Sequence, residues 1–234
     1  MIKKDTQGVT FAKGFTAAGV KAGIKKSGNL DVAVIYTKTK AAVAGTFTQN
    51  KVAAAPVYVS KEVVATGTAH AIVANAGCAN ACTGQQGLDD AHKMAQIAAD
   101  ELGVNADDVI VGSTGVIGVN LPMDKLEAGI KDAVTNLSAD GSDNAGRAII
   151  TTDTHSKSVT CEFELSGKTV RMGAIAKGSG MIRPNMATML CYITTDIAID
   201  QALLQKAVSG CVEKSFNMIS VDGDMSTNDM VIVL

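Results

Sequence analysis

The sequence predicts an α+β fold, and three observations carry that prediction. Apolar runs of strand length recur between segments of helical periodicity. Residues 159–165 alternate apolar and polar, as in a strand with one wet face, which belongs in an antiparallel sheet. Ser166-Gly167-Lys168 then turns that strand into a second, through Val170, Met172 and Ala174. Such a hairpin points away from a doubly wound parallel sheet. No Pro/Ser/Gly-rich linker and no internal repeat divides the 234 residues, so one continuous domain with a sizeable core is expected.

In chain order, residues 32–36 (Val-Ala-Val-Ile-Tyr) and 71–74 read as buried strands. Residues 86–102 read as a helix, because Leu88, Ala91, Ala95, Ala98 and Leu102 share one face. Asp89 and Asp90 fall in its expected first turn, where the helix dipole favours acids. Residues 109–111 are a third strand. Pro122 suits the first position of a second helix, which buries Leu126, Ile130, Val134 and Leu137. The hairpin follows, then an apolar strand over 189–193. Asp200 is placed to cap a third helix carrying Leu203, Leu204, Ala207, Val208 and Cys211 inward. Residues 230–234 form an apolar run that stops without a turn or polar cap. It reads either as a buried final strand or as a chain cut short in mid-domain.

Composition narrows the function. With 21 Lys+Arg against 23 Asp+Glu, neither a polybasic nucleic-acid arm nor a disordered acidic tail fits. Aromatics are 3% with no Trp, so the core is aliphatic and a base-stacking platform is excluded. Five cysteines at irregular spacing are no disulfide framework. The N-terminus is polar and no apolar run is long enough to span a bilayer, so a soluble, cytoplasmic protein is the expectation, binding neither nucleic acid nor membrane.

Several motifs fail on inspection. Gly167-Lys168-Thr169 ends like a phosphate-binding loop, but the pattern's first glycine would fall on Glu162. A nucleophile elbow at Ser113 would need Gly at Val111. Cys78 and Cys82 lack a second ligand pair, so no metal site is expected. Asn136-Leu137-Ser138 matches a glycosylation sequon, which means nothing in the cytoplasm. Of the three histidines, His70 and His92 read as structural or exposed. His155 alone lies near a polar cluster, and nothing places it in a serine–histidine–acid triad.

One stretch is different. Lys177-Gly178-Ser179-Gly180 opens a Gly-rich segment that passes Pro184 into Ala187-Thr188 and the apolar run after it. A small residue before Thr at the head of a buried strand is what a self-cleaving N-terminal nucleophile precursor needs. The dipeptide alone favours a plain loop-to-strand junction with a Thr on it, because Ala-Thr is a common pair.

The longer string around that junction resembles the cleavage motif of the ornithine acetyltransferase family, the ArgJ-type glutamate N-acetyltransferases of arginine biosynthesis. Further blocks resemble the same family: the run from Lys13 to Lys25, Asn75-Ala76-Gly77-Cys78-Ala79-Asn80-Ala81-Cys82-Thr83-Gly84, Ser113-Thr114-Gly115-Val116-Ile117-Gly118 followed by Leu121-Pro122-Met123-Asp124-Lys125, and Val221-Asp222-Gly223-Asp224 with Ser226-Thr227-Asn228-Asp229. The resemblance implies that Thr188 is the nucleophile and that the chain is cut between Ala187 and Thr188. The parts are then an α-chain segment, 1–187, and the beginning of a β-chain segment, 188–234. It implies Thr114 and Gly115 as the oxyanion-hole pair, and Thr151, Lys177 and Thr188 as contacts to the amino-acid substrate. It implies a layered α/β sandwich, similar in layout to N-terminal nucleophile hydrolases but distinct in topology, with cleaved chains pairing as α2β2. The expected partners are N-acetylornithine as acetyl donor and glutamate as acceptor, with acetyl-CoA a further candidate donor and no cofactor. Family members continue past Leu234, into a part carrying a Glu and C-terminal Asn and Ser/Thr residues that close the pocket. Two other readings stand beside this one: a self-cleaving aminopeptidase or amidase that passes the acyl group to water, and a non-catalytic fragment or assembly subunit.

Overall fold

The computed structural model describes residues 2–183 and 189–234. In chain order these form β1 (Ile2–Lys4), β2 (Phe15–Val20), β3 (Val32–Ala42), β4 (Ala44–Phe47), α1 (Ala55–Thr66), β5 (Thr68–Cys78), α2 (Gly84–Leu102), β6 (Val109–Val116), α3 (Met123–Thr135), α4 (Ser142–Ile149), β7 (Lys157–Leu165), β8 (Lys168–Lys177), β9 (Leu190–Thr195), α5 (Gln201–Glu213) and β10 (Met230–Val233). They build a larger sheet of order β1-β7-β8-β9-β10-β4 and a smaller one of order β2-β3-β5-β6. The pairs β5–β6 and β9–β10 are parallel. The others are antiparallel, including the β7–β8 hairpin, whose turn residues Ser166 and Gly167 both have positive φ, as a two-residue hairpin turn demands. The α+β expectation holds.

Three apolar clusters stack these elements as helix, sheet, sheet, helix. Between the sheets, Ile35, Ile72 and Ile110 meet Ile175, Leu190, Tyr192, Met230 and Ile232. On the far face of the smaller sheet, Val34, Val73 and Val111 pack under Met94 and Ala98 of α2 and Leu126 and Ile130 of α3. On the far face of the larger sheet, Cys191, Val231 and Val233 pack under Leu204, Val208 and Val212 of α5. Residues 230–233 thus take an interior place, between β9 and β4. The sheets meet closely: a Cβ on Gly112 of β6 would stand 2.1 Å from the Tyr192 hydroxyl oxygen. Among the described residues, no helix is long and apolar enough to cross a membrane.

The structure corrects four details of the sequence reading. Helix α2 begins at Gly84, so Asp89 and Asp90 lie beyond its first turn; Asp90 is buried and accepts from Gln86 Nε2 at 2.9 Å. Pro122 is the N-cap of α3 and not its first residue. On α5 the buried stripe is Leu204, Val208 and Val212, while Leu203, Ala207 and Cys211, one position back and so about 100° round the helix, are exposed. Strand β7 does not bury its apolar alternation: Thr160 is its one buried residue, while Val159, Phe163 and Leu165 are exposed, as are Glu162 and Glu164. Close backbone approach explains the buried Thr160. Thr160 sits opposite Gly173, where a Cβ would lie 1.7 Å from the Gly8 carbonyl oxygen, so that face admits only small groups.

Asp200 does cap α5, accepting the N–H groups of Ala202 at 2.9 Å and Leu203 at 3.2 Å. Asp200→Ala should destabilise the fold by about 1 kcal/mol, lowering the melting temperature by roughly 2–4 °C. Thermal denaturation followed by circular dichroism checks this, and an unchanged midpoint would show that packing alone sets the start of α5.

Candidate active site

Four residues singled out in the sequence, Thr114, Gly115, Thr151 and Lys177, come together on the wall of one cavity of about 730 Å³. Strand β6 of the smaller sheet supplies Thr114 and Gly115, and the last residue of β8 in the larger sheet supplies Lys177. The cavity therefore opens where the ends of two facing strands meet. Thr114 and Gly115 lie within β6, which runs on beyond residues 109–111. The expected nucleophile Thr188 and its neighbour Ala187 lie outside the described residues. None of the three histidines lines the cavity. His70 Nδ1 bonds the Thr37 carbonyl at 3.0 Å, His92 is exposed, and His155 bonds Thr154 Oγ1 at 2.9 Å.

The backbone at Thr114-Gly115 is set by a buried amide network. Ser113 Oγ donates to Asn75 Oδ1 at 2.6 Å, and Asn75 Nδ2 donates to the Cys78 carbonyl at 2.9 Å. Asn228 Nδ2 donates to the carbonyls of Ala79 at 2.6 Å and Ser113 at 2.9 Å. Gly115 has φ +135°, and a Cβ there would stand 2.4 Å from the Gly77 carbonyl carbon. Only glycine fits, and the β5–β6 register shifts at that point.

Lys177 is the electrostatic centre. It is 4% exposed, and its Nζ donates to Thr114 Oγ1 at 3.0 Å. Burial lowers its pKa, while Asp153 and Asp229 act to raise it. Burial also pushes on the Asp153 carboxyl, but the Lys157 ammonium, the Gly178 N–H at 2.9 Å and Lys177 together hold it below its usual range. Asp229, 1% exposed, goes the other way. Burial raises it to about 7, against the opposing pull of the Met189 N–H, Ser226 and Lys177. A second cation, Lys25, also lines the cavity and is lowered to about 8 by burial. Its loop is folded by buried Asp31, which accepts from the N–H groups of Ala22 at 2.6 Å, Ile24 at 2.6 Å and Lys25 at 2.9 Å.

Sequence reasoning gave no role to Asn75, Asn228, Asp153, Asp229, Asp31 or Lys25. The available signal was polar residues set directly against strand-length apolar runs, as in Asn228-Asp229 before residues 230–234. Cys78 and Cys82 are free thiols, and Cys78, raised by burial, donates to the Val119 carbonyl at 3.2 Å. Among the described residues, no group of three or more His, Cys, Asp and Glu could hold a metal ion.

A model of the ArgJ family matches residues 16–234. The chain belongs to that family. A relative from Symbiobacterium thermophilum, an arginine biosynthesis bifunctional protein ArgJ, is 52% identical over 229 residues. Those cover 97% of this chain but 57% of the relative, so the chain spans just over half the length of the curated ArgJ proteins it matches. Among solved structures, the ArgJ protein of Bacillus halodurans is 42% identical with a TM-score of 0.71, covering 80% of this chain and 98% of the solved one. The ornithine acetyltransferase of Mycobacterium tuberculosis, solved with ornithine, is 40% identical with a TM-score of 0.73, covering 81% of this chain and all of the solved one. An aminopeptidase with D-Ala-esterase/amidase activity from Ochrobactrum anthropi, a variant of the N-terminal nucleophile hydrolase fold, is 12% identical with a TM-score of 0.56 and shares the fold alone. The layered sandwich implied by the sequence is thus the fold of ArgJ structures.

The elevated Asp229 has a measurable consequence. Folded, its carboxyl holds a proton up to about pH 7; unfolded, it titrates near 3.8. The folded form therefore loses stability as pH rises across that window. Asp229→Asn removes the loss, so the variant's melting temperature relative to the parent should be higher at about pH 8 than at about pH 5. Equal offsets at the two pH values would show that the carboxyl is not held up.

Proposed function

We propose that the chain is the self-cleaving part of an acetyltransferase that moves an acetyl group from N-acetylornithine to glutamate through an acetyl-Thr188 intermediate. The observation that carries this reading is the Lys177–Thr114 contact beside the Gly115 backbone. Lys177 donates into a lone pair of Thr114 Oγ1, which leaves the Thr114 hydroxyl proton free to donate into the cavity. That hydroxyl and the Gly115 N–H are the two donors an oxyanion hole requires. Lys177 adds a positive charge suited to a substrate carboxylate, with Thr151 on the same wall.

In maturation, Thr188 Oγ attacks the Ala187 carbonyl carbon. The C–O bond forms, the C–N bond breaks, and the hydroxyl proton passes to the departing amine. Water then cleaves the ester and frees Thr188 with an α-amine that serves as base. In turnover, the same oxygen takes the acetyl group as ornithine leaves with the proton. The glutamate amine then attacks the acetyl carbonyl carbon; the C–N bond forms, the C–O bond to Thr188 breaks, and the proton the amine gives up returns to the Thr188 oxygen through its α-amine. The oxyanion of each tetrahedral intermediate faces the Thr114–Gly115 pair.

The reach of the solved relatives supports a cut near this point: 80–81% of this chain, about 187–190 residues, accounts for 98–100% of each. The fold also explains how segments 1–187 and 188–234 would stay together. Strands β8 and β9 flank the junction and pair from Lys177↔Leu190 to Met172↔Thr195, with β9 interior to the sheet. Association of cleaved chains as α2β2 and use of acetyl-CoA belong to the same proposal.

Intact-mass measurement should find two chains, one ending at Ala187 and one beginning at Thr188, and a single uncut chain for Thr188→Ala. N-acetylornithine with glutamate should yield acetylglutamate. Free acetate as sole product would indicate a hydrolase. A Thr188→Ala variant that still cleaves would sink the nucleophile assignment.

Because one pair of donors serves both steps, Thr114→Ala should slow acetyl transfer by about 10²–10³ and let uncut precursor accumulate. A folded Thr114→Ala protein with normal maturation and unchanged kcat would remove Thr114 from the mechanism.

A further inference from the structure

The loop before β10 holds both sides of the proposed chemistry through two consecutive residues. Asn228 Nδ2 donates to the Ser113 carbonyl at 2.9 Å, and Ser113 precedes Thr114. Asp229 Oδ1 accepts the Met189 N–H at 2.9 Å, and Met189 follows Thr188. Met230 N–H then bonds the Met189 carbonyl at 2.9 Å, so Met189 is gripped at both its polar groups.

The loop is itself fixed. Thr48 Oγ1 donates to the Ser226 carbonyl at 2.7 Å, Asn50 Nδ2 to the Met225 carbonyl at 2.8 Å, and the Ala54 N–H to the Thr227 carbonyl at 2.8 Å. Asn228 and Asp229 are 6% and 1% exposed. Asp229 Oδ2, also buried, has no hydrogen-bond partner among the described residues. A buried acceptor left unpaired is unfavourable, and native folds keep few of them.

Seven residues earlier, Asp222 grips the other flank of the segment. Its carboxylate accepts the N–H groups of Met181 at 2.6 Å and Ile182 at 2.8 Å. Met181 sits at φ +57°, an unfavourable conformation for a side chain of that size, which these bonds offset.

We propose that Asn228 and Asp229 act together as a spacer that fixes Met189, the residue next in sequence to the proposed nucleophile, relative to the strand bearing Thr114 and Gly115, and so are positioning residues for self-cleavage. A side-chain amide needs a carbonyl and a carboxylate needs an N–H; the dipeptide offers one of each, and each is used on a different sheet. This inference rests on the reading of Thr188 as nucleophile, so its test separates the two.

The test follows self-cleavage of freshly made full chain by intact mass over time. Asp229→Ala and Asn228→Ala should each slow cleavage by about tenfold or more, the effect of losing one hydrogen bond to a reacting segment. Asp229→Asn retains an acceptor for Met189 and should cleave within about threefold of the parent. The double alanine variant should be no slower than the worse single one, because residues acting as one unit are not additive. Circular dichroism establishes that each variant is folded, with Lys131→Ala, on a remote surface ion pair, as control. Hydrogen exchange in a Thr188→Ala background gives a readout free of cleavage: the Met189 amide should be protected there and lose protection when Asp229→Ala is added. Parental cleavage rates in a folded Asp229→Ala chain overturn the spacer, as does an Asn variant as slow as Ala. A parent chain that never cuts at Ala187–Thr188 overturns both the spacer and the nucleophile reading. Cleavage that stops with Thr188→Ala but is indifferent to Asp229 overturns the spacer alone.

Discussion

An ammonium ion inside an aliphatic sandwich is stable only where its lost hydration is replaced. At Lys177 the replacement comes from three directions: a hydroxyl on the smaller sheet, Asp153 on the segment after α4, and Asp229 on the loop before β10. Each partner must be delivered to one point by a different part of the chain. The cavity therefore stands where β6 and β8 end, and the loops that reach it are short of freedom. Asp153 is bound to Lys157 and Gly178, and Asp229 to Met189. The cavity wall itself carries Lys25, Lys26 and Lys177 with Asp222 as its acidic residue, so its charge is mainly positive.

Glycine does for the backbone what Lys177 does for the charge. At Gly115 two strands approach so closely that no side chain is admitted, and the residue takes a positive φ where the strand register shifts. At Gly173 a similar approach excludes bulk from one face of β7 and β8. The first departure lies at the cavity and the second lies far from it. One geometric device thus serves the site in one place and the layer spacing in another.

The fold was legible where local pattern and tertiary environment agree. Residues 32–36, 71–74 and 109–111 are apolar on both faces, and the structure covers both faces with core. Helix α2 has its apolar stripe where the spacing of Ala91, Ala95 and Ala98 puts it. Strand β7 was misread because its alternation names two faces without saying whether either is covered, and the close approach of Gly8, 152 positions before Thr160, to Gly173 leaves room only for a small side chain there. Helix α5 has two adjacent apolar stripes, and periodicity cannot rank them. Thr114, Gly115, Thr151 and Lys177 were legible through family resemblance and do share a cavity. Asn228 and Asp229 were not given roles, because a hydrogen bond across 115 or 40 residues leaves no trace in spacing.

The larger sheet joins distant parts of the chain at both edges. Strand β1 pairs with β7, Ile2 opposite Cys161, and β4 pairs with β10, Phe47 opposite Met230. On a ribosome adding roughly 5–20 residues per second, residues 44–47 would wait about ten to forty seconds for their partner strand to be made. Through that interval β4 is a bare edge, open to pairing with any other extended chain. Its four-residue length limits how much such a stray pairing gains. Folding of the larger sheet therefore waits for residues 230–233, while the smaller sheet, complete by Val116, can assemble well before.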